Sequence, residues 1–345
     1  MVQLAALSAG SQAPRGRFNG TVHSVFRQAC NVQLDDGRLL ALLAPDLGNA
    51  PHGVRVDVPA GFAFADHVTA GGPVGCRADV LRVAGGELSI DLAPAQPWRG
   101  ELPCAGVGLA NGKVIRAWRA AWHALHRDRR RLDGGGLHSL GRAVDRQGAC
   151  LARAARDLHA DEATRALDRL IGCGPGLTPS GDDLVVGLLA GLWSTTGRHP
   201  ARRAFLDALC RGVAAAAAAT GELSRVYLIH ATSGRFAEAL LTLACRITEG
   251  ADRGAVEAAT AAALRVGSTS GGDGTFGLLL GLAAWAPRSV LPLAWASNAM
   301  AGASPLEPGR GPRLAARSRP RRGTCGLGPA RHRTSASAVE ASGRC

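Results

Sequence analysis

Two segments of the chain carry nearly the same sequence at different places. Residues 180–192 align without a gap on residues 270–282, and each copy is a Ser-Gly-x-Asp step followed by an apolar run. The length and composition of the runs predict two helices. Each run also contains two glycines four residues apart, and a glycine inside a helix costs about 1 kcal/mol relative to alanine. The four glycines are Gly187, Gly191, Gly277 and Gly281.

Close packing of the two helix backbones would offset that cost. We therefore expect the helix over 182–196 and the helix over 273–285 to cross on their glycine faces. Such a crossing brings the loops before the two helices to one cleft, under a local pseudo-twofold axis.

Local patterns divide the rest of the chain into a β-rich part and a helical part. Between residues 19 and 93, short apolar-alternating runs are separated by turn signals such as Asp36-Gly37 and Gly85-Gly86. From about residue 112, Ala, Leu and Arg dominate with helical spacing. The fold class expected is α+β, with a small N-terminal antiparallel β barrel or sandwich and then an α-helical domain with two glycine-rich loops at helix N-termini.

The predicted boundaries follow from these shifts in composition. We expect a flexible N-terminus at 1–17, a β-rich domain at 18–100, an α-helical domain at 101–286 and a disordered, basic, Pro- and Arg-rich tail at 287–345. A shifted reading frame would also produce the composition of this tail. Helices are predicted over 112–131, 138–157, 161–171, 182–196, 201–219, 222–248, 252–265 and 273–285.

The formal net charge of +13 is concentrated near the C-terminus. Residues 287–345 hold ten arginines and two acidic residues. The rest of the chain lacks the basic clusters interleaved with aromatic residues that are typical of nucleic-acid-binding proteins. The nine cysteines include no Cys-x-x-Cys pair, which disfavours a zinc site and a disulfide framework. No export signal or membrane span is evident, so a cytoplasmic location is expected.

The two loops have the composition of anion-binding helix starts. Residues 172–183 contain four glycines and two prolines, and residues 267–274 add three hydroxyl side chains. Exposed amides at a helix N-terminus attract anions, and glycines allow a phosphate or carboxylate to approach closely. The predicted ligand-binding residues are Gly174, Gly176, Thr178, Ser180, Gly181, Asp182, Asp183, Thr269, Ser270, Gly271 and Asp273.

The acidic residues of these loops admit two interpretations. Ser180 with Asp183, and Ser270 with Asp273, have the spacing of a capping box, in which both side chains bond the helix's own backbone. Alternatively, Asp183 and Asp273 contact a ligand directly or hold a divalent cation such as Mg²⁺. The spacing alone does not decide between them.

Four other residues are weaker candidates, and no catalytic residue is assigned. Thr220 and Ser224 share a helical face and either line the cleft or are tolerated polar positions. His230 is a general base or a structural histidine. Arg235 binds an anionic substrate or is an exposed arginine at a helix start.

The motif Gly-x-Gly-x-Gly-Leu-Thr-Pro-Ser-Gly-Asp-Asp over 172–183 resembles the AllH-like family, a subunit of bacterial oxamate carbamoyltransferase. Supporting segments are the strand-like 20–26, Thr220 to Ser224 with 234–236, and 267–273. The chain departs from the family pattern at Ser268, where the family often has His.

The resemblance implies a transferase that works with two other subunits and moves a carbamoyl group between oxalurate and phosphate in allantoin catabolism. The expected partners are those subunits and a small anion such as phosphate, carbamoyl phosphate or oxalurate. Whether the chain is itself the enzyme stays open. The alternatives are a non-catalytic small-anion-binding or assembly subunit of a related bacterial complex, and a nucleic-acid-binding protein that uses the basic tail.

Overall fold

The computed structural model describes residues 2–83, 87–103, 106–132 and 138–287. They belong to the first of two units, Met1–Ala303, and the second, Ser304–Cys345, lies outside the described residues. The expected turn at Gly85-Gly86 and the expected disordered tail, apart from Pro287, also lie outside them.

Nine strands form the N-terminal part of the described chain. They are β1 (Val2–Gly10), β2 (Phe18–Val25), β3 (Ala29–Leu34), β4 (Leu39–Leu43), β5 (Gly53–Asp57), β6 (Pro73–Arg77), β7 (Val80–Val83), β8 (Leu88–Asp91) and β9 (Gln96–Trp98). Their order is β5-β4-β3-β2-β6-β7-β8-β1, and pairing of β1 with β5 closes an eight-stranded barrel. β9 lies beside the end of β1. Apolar side chains such as Val32, Val56 and Leu81 fill the interior.

The predicted barrel is confirmed, but its sheet is mixed. β1 runs parallel to β8 and β9, and β4 runs parallel to β5, while the other ladders are antiparallel. A sequence that gives the strands does not by itself give their direction, because direction depends on how the barrel closes.

The expectation of a flexible N-terminus over 1–17 is wrong for Val2–Gly10, which forms the strand that closes the barrel. Its inward positions are the small residues Ala6, Ser8 and Gly10, which have a weak hydrophobic signal. A small residue is required at Gly10, because a Cβ there would lie 2.2 Å from the carbonyl oxygen of Ala50.

Nine helices follow in the described residues. They are α1 (Gly112–Leu132), α2 (His138–Asp157), α3 (Ala160–Leu170), α4 (Ser180–Thr196), α5 (Pro200–Ala216), α6 (Glu222–Thr232), α7 (Glu238–Thr248), α8 (Arg253–Leu264) and α9 (Ser270–Ala284). A short 3-10 helix, Ala217–Ala219, extends α5. α4 and α9 are apolar on nearly all sides and form the centre of the helical domain, as buried helices do. None of the described helices is both long and apolar enough to cross a bilayer.

The single helix predicted over 222–248 is wrong, because the chain breaks into α6 and α7. Gly234 adopts a left-handed φ of +72°, and its carbonyl accepts a hydrogen bond from the N–H of Leu102. The N–H of Phe236 donates in turn to the carbonyl of Gly100. These bonds to the segment after the barrel replace helical ones, and no local pattern in the sequence indicates them.

The crossing of α4 and α9 on their glycine faces is confirmed. A Cβ at Gly187 would lie 1.9 Å from the carbonyl oxygen of Gly274, and a Cβ at Gly277 would lie 2.0 Å from that of Leu184. The two contacts are equivalent, because Gly187 corresponds to Gly277 and Leu184 corresponds to Gly274 in the ninety-residue repeat. The local pseudo-twofold relation therefore holds at the level of individual backbone atoms.

The barrel and the helices contact each other through Glu238 at the start of α7. Its Oε2 accepts hydrogen bonds from the backbone N–H and the side-chain Nδ2 of Asn49, both at 2.8 Å. Arg55 of β5 lies 3.9 Å from the same carboxylate. The Oδ1 of Asn49 accepts a hydrogen bond from the hydroxyl of Ser8 on β1. This network fixes the start of α7 against the barrel.

Candidate functional site

The two Ser-Gly-x-Asp steps interact across the helix crossing rather than within one helix. Ser180 and Ser270 are the first residues of α4 and α9, and the residues at the N-cap positions make no side-chain cap. Instead, the Ser270 hydroxyl interacts with Asp183, and the Ser180 hydroxyl interacts with Asp273. The capping-box interpretation is therefore wrong: a serine already inside the first turn is not placed to cap it.

A cavity of about 220 Å³ opens on the Asp183 side of this crossing. Four of the predicted ligand-binding residues line it, namely Thr178, Asp183, Ser270 and Gly271. Its walls also include Val186 of α4, Tyr227 of α6, Arg235 and residues of α7. The two loops therefore meet at one cavity. Of the two equivalent carboxylates, Asp183 lines it and Asp273 does not.

The other predicted ligand-binding residues do not line the cavity. They are Gly174, Gly176, Ser180, Gly181, Asp182, Thr269 and Asp273. Part of the first loop closes on itself, since the N–H of Cys173 donates to Leu170 and the N–H of Gly181 donates to Cys173. The N–H groups of Cys173 and Gly181 therefore already donate hydrogen bonds within the protein. The sequence could not show this, because glycine content indicates conformational freedom and not the partners of the amides.

Asp182 is a buried structural carboxylate with 1% exposure. It accepts hydrogen bonds from the N–H of Gly172 at 2.7 Å, the hydroxyl of Thr220 at 2.5 Å and the hydroxyl of Ser224 at 2.6 Å. Thr220 and Ser224 thus bind Asp182 and hold the first loop against α6, instead of lining the cavity.

Asp183 supplies the carboxylate of the cavity wall. Its Oδ2 is buried and has no hydrogen-bond partner among the described residues. Burial is the main cause that raises the pKa of Asp183 to about 7, the negative charges of Asp273 and Asp182 add to the rise, and the hydroxyls of Ser270 and Thr178 oppose it. The two hydroxyl oxygens lie 2.9 Å apart. A carboxyl with this pKa can accept or donate a proton near neutral pH.

Tyr227 and Arg235 complete the polar lining. Burial, followed by the charge of Asp183, raises the pKa of Tyr227 to about 12, so its hydroxyl stays protonated. The guanidinium of Arg235 lies 3.2 Å from Glu101, and its Nε is buried without a partner among the described residues. Both donors face a small, mostly apolar cavity in which electrostatic contacts are strong.

Two histidines, the buried His52 and the half-buried His230, lie behind Tyr227, where the barrel meets α6. The ring of His52 packs edge-on to Tyr227 at 4.9 Å and stacks on His230 at 5.3 Å between centroids. Burial, followed by the charge of His230, lowers the pKa of His52 to about 3. Burial, followed by the charge of Arg235, lowers the pKa of His230 to about 4. Both rings are therefore neutral at pH 7, and His230 does not line the cavity.

Asp273 is the pseudo-twofold counterpart of Asp183, and the protein's own Arg129 lies beside it. The guanidinium of Arg129 on α1 lies 3.6 Å from Asp273, bonds both carboxylate oxygens of Asp145 and covers the ring of Phe276 at 4.4 Å. Burial raises the pKa of Asp273, and the interactions with Ser180 and Arg129 oppose this rise. Asp183 and Asp273 thus have equivalent positions and different partners.

A divalent cation at Asp183 or Asp273 stays a prediction. Within the described ranges, no group of three or more His, Cys, Asp and Glu side chains has the arrangement of a metal site.

Sequence reasoning missed Tyr227 and His52, and it left open whether Arg235 binds an anion or is an exposed arginine. Tyr227 is the only tyrosine in the chain, which is a weak signal by itself. His52 belongs to a loop of the barrel, and only the packing of barrel against helix brings it to the site. Arg129 gave no signal either, since it is one of several arginines near the end of α1.

Comparison with models of protein families gives two matches. Residues 4–97 match the AllH family N-terminal domain, and residues 170–282 match the family described as oxamate carbamoyltransferase subunit AllH. Searches of curated proteins and of solved structures found no match. The first match spans the barrel, and the second includes both helix starts and the cavity residues between them. The two models describe one family and together cover more than half of the chain, which therefore belongs to the AllH family.

Proposed function

We propose that this protein is a subunit of an oxamate carbamoyltransferase-like enzyme, which moves a carbamoyl group between oxalurate and phosphate in allantoin catabolism. The observation that carries the proposal is the cavity beside Asp183, with Arg235 in its wall, in a member of the family described as a subunit of that enzyme. The description as a subunit supports assembly with other chains into a hetero-oligomer, for which a cytoplasmic location is part of the proposal.

The size and lining of the cavity fit a small anionic metabolite. Its volume of about 220 Å³ lies below the ~300–1,000 Å³ that is typical of sites for drug-sized ligands. Arg235 provides a positive charge and a donor for a carboxylate or phosphate. The hydroxyls of Thr178, Ser270 and Tyr227 offer neutral hydrogen bonds. Anion binding therefore depends on side chains at the helix crossing more than on the loop amides.

Asp183 suits the proton transfer that the reaction requires. Hydrogen phosphate attacks the terminal carbamoyl carbon of oxalurate, the bond from that carbon to the bridging nitrogen breaks, and carbamoyl phosphate and oxamate result. The proton of hydrogen phosphate must pass to the departing nitrogen. A carboxyl with a pKa of about 7 can take that proton and return it without a large energetic cost. The apolar surroundings exclude water from the labile carbamoyl group.

Turnover assays test the proposal. The full chain is measured alone and with its partner subunits for phosphate-dependent cleavage of oxalurate, with carbamoyl phosphate as the product detected. We expect turnover in the complete assembly and a large loss of kcat in Asp183→Asn, while Asp273→Asn, at the equivalent position outside the cavity, retains most activity. No turnover by the complete assembly would remove the carbamoyltransferase function and leave a non-catalytic anion-binding or assembly subunit.

A further inference from the structure

Helix α1 carries a row of basic residues on one face, away from the cavity beside Asp183. The row consists of Arg116, Arg119, His123, Arg127 and Arg130, which follow one another at intervals of three or four residues and are all exposed. Residues at this spacing are neighbours on the helix surface, and like charges there destabilise a helix. The stability of α1 therefore does not explain the basic row.

The basic row forms one wall of a surface groove of about 460 Å³, and Arg253 at the start of α8 contributes from the other side. We call it the basic groove. The described residues that line it are the basic row, Arg253 and Ala120, and no acidic residue is among them. Glu257 of α8 accepts hydrogen bonds from Arg127 at 3.0 Å and from Arg253 at 3.1 Å. This carboxylate holds one guanidinium from each helix at the groove.

A second groove of about 450 Å³ between the same two helices has a mixed charge. Its described lining includes two carboxylates, Asp128 and Glu257, together with three arginines, Arg127, Arg131 and Arg265. Mixed charges are typical of a solvated helix surface. Since both grooves belong to the same arginine-rich helices, composition alone does not explain the absence of acidic residues from the described lining of the basic groove.

We propose that the basic groove binds an anion that carries two or more neighbouring phosphate groups. Guanidinium groups present forked N–H donors that match the oxygens of phosphate. The volume of the groove lies within the ~300–1,000 Å³ that is typical of sites for small molecules. The basic groove shares no described lining residue with the cavity beside Asp183, so this proposal is independent of the proposed function.

The rest of the lining favours the phosphate groups as the part that is recognised. Ala120 is the only apolar residue in the described lining, which contains no Phe, Tyr or Trp ring. A nucleic-acid base would find no such ring to stack on. An acidic protein surface would lack the apolar contacts that the centre of a protein interface normally has. A compact oligophosphate needs neither of these contacts.

Calorimetric titration of the full chain with inorganic tripolyphosphate tests the proposal, and inorganic phosphate is the comparison. We expect tripolyphosphate to bind at least about tenfold more tightly than phosphate at low salt, and to weaken as salt is added because exposed charges are screened. Arg116→Gln and Arg253→Gln each remove one exposed guanidinium of the groove. Each should weaken tripolyphosphate by about twofold to fivefold, and the double variant by about tenfold.

Arg265→Gln is the matched control, because it removes an exposed arginine that lines the second groove and not the basic groove. It should bind tripolyphosphate as the wild type does. No binding of tripolyphosphate at low salt, equal affinity for phosphate and tripolyphosphate, or an equal loss in Arg265→Gln would overturn the proposal. Tighter binding of a single-stranded DNA oligonucleotide than of tripolyphosphate, lost in the same two variants, would assign the groove to nucleic acid and would also overturn it.

Discussion

Gly187 and Gly277 occupy equivalent positions at one helix crossing, and each lies against the backbone of the helix that carries the other. A Cβ on either glycine would come within about 2 Å of a carbonyl oxygen, at Gly274 and at Leu184 respectively. Backbone atoms of two central helices cannot move aside as a flexible side chain can. The crossing therefore tolerates no side chain at these positions.

Alanine at Gly187 or Gly277 should destabilise the protein by roughly 3 kcal/mol or more, since overpacking in a tight core costs about 1–3 kcal/mol even where neighbours can shift. Chemical denaturation monitored by circular dichroism measures the change. Gly272→Ala is the control within α9, because an added Cβ meets nothing within 4 Å there. It should be neutral or stabilise by up to about 1 kcal/mol. Equal effects at all three positions would contradict the crossing.

Removing the Asp182 carboxylate should loosen the first loop. Asp182→Ala leaves three donors without their acceptor, and hydrogen bonds to a charged group are worth about 1.5–3 kcal/mol each. We expect a loss of roughly 3 kcal/mol or more in the free energy of unfolding, and faster amide exchange at Gly172. Ser224→Ala should cost less, and the loss in the double variant should fall short of the sum.

Thr232→Ala is the control for this network on the same helix, since its hydroxyl bonds only the carbonyl of Ile229. Its effect should stay within about 0.5 kcal/mol. A comparable loss in Thr232→Ala would assign the effect to α6 in general and not to Asp182.

The raised pKa of Asp183 predicts a stability that falls as pH rises. The folded protein holds this proton up to a pH of about 7, while an unfolded aspartate releases it near pH 3.9. Between these values the folded state binds more protons, so the free energy of unfolding decreases with pH across that window. Asp183→Asn should remove this slope and stabilise the protein at pH 8 by up to about 4 kcal/mol. Urea denaturation at pH 4, 6 and 8 measures it, and an unchanged slope would contradict the assignment.

The histidine pair, His52 and His230, has the opposite pH dependence. His52 and His230 stay neutral in the folded protein down to a pH of about 3 and about 4, whereas an unfolded histidine takes up a proton near pH 6.5. The unfolded state therefore binds more protons below pH 6.5, and stability is lost as the pH falls. His52→Phe should reduce this loss and, by removing two unpartnered ring nitrogens, stabilise the protein at pH 7 by roughly 1–2 kcal/mol.

The exposed His123→Gln serves as the control for the acid dependence. Thermal unfolding monitored between pH 4.5 and 7.5 should separate the two variants, with the shallower slope in His52→Phe. The same slope in both would show that the histidine pair does not govern acid stability.

The sequence predicted those features that are encoded locally or by repetition. The glycines at 187 and 277 predicted the helix crossing because their cost required a compensating contact. The same reasoning brought Thr178, Asp183 and Ser270 to one cleft. It failed where partners come from distant segments: the break at Gly234 depends on hydrogen bonds with residues 100–102, and the first strand depends on closure of the barrel.

The roles within the site were the least predictable part. Asp182 and Asp183 are neighbours in the sequence, yet one is satisfied by three donors of the protein and the other faces the cavity. Only the direction of each side chain on α4 separates them. Arg129 and Arg235 likewise differ in what surrounds them and not in their local sequence.

The carboxylate of Glu238 has a consequence for how this protein can be divided. The residues that follow it on α7, Ala239 and Leu240, form one wall of the cavity, and Glu238 itself is anchored to Asn49 of the N-terminal half. A truncation that keeps only the C-terminal half would remove the hydrogen bonds from Asn49 that hold this wall in place. The cavity wall in the C-terminal half therefore depends on a residue of the N-terminal half, and exchanging the N-terminal half for an unrelated one would remove the hydrogen bonds that position it.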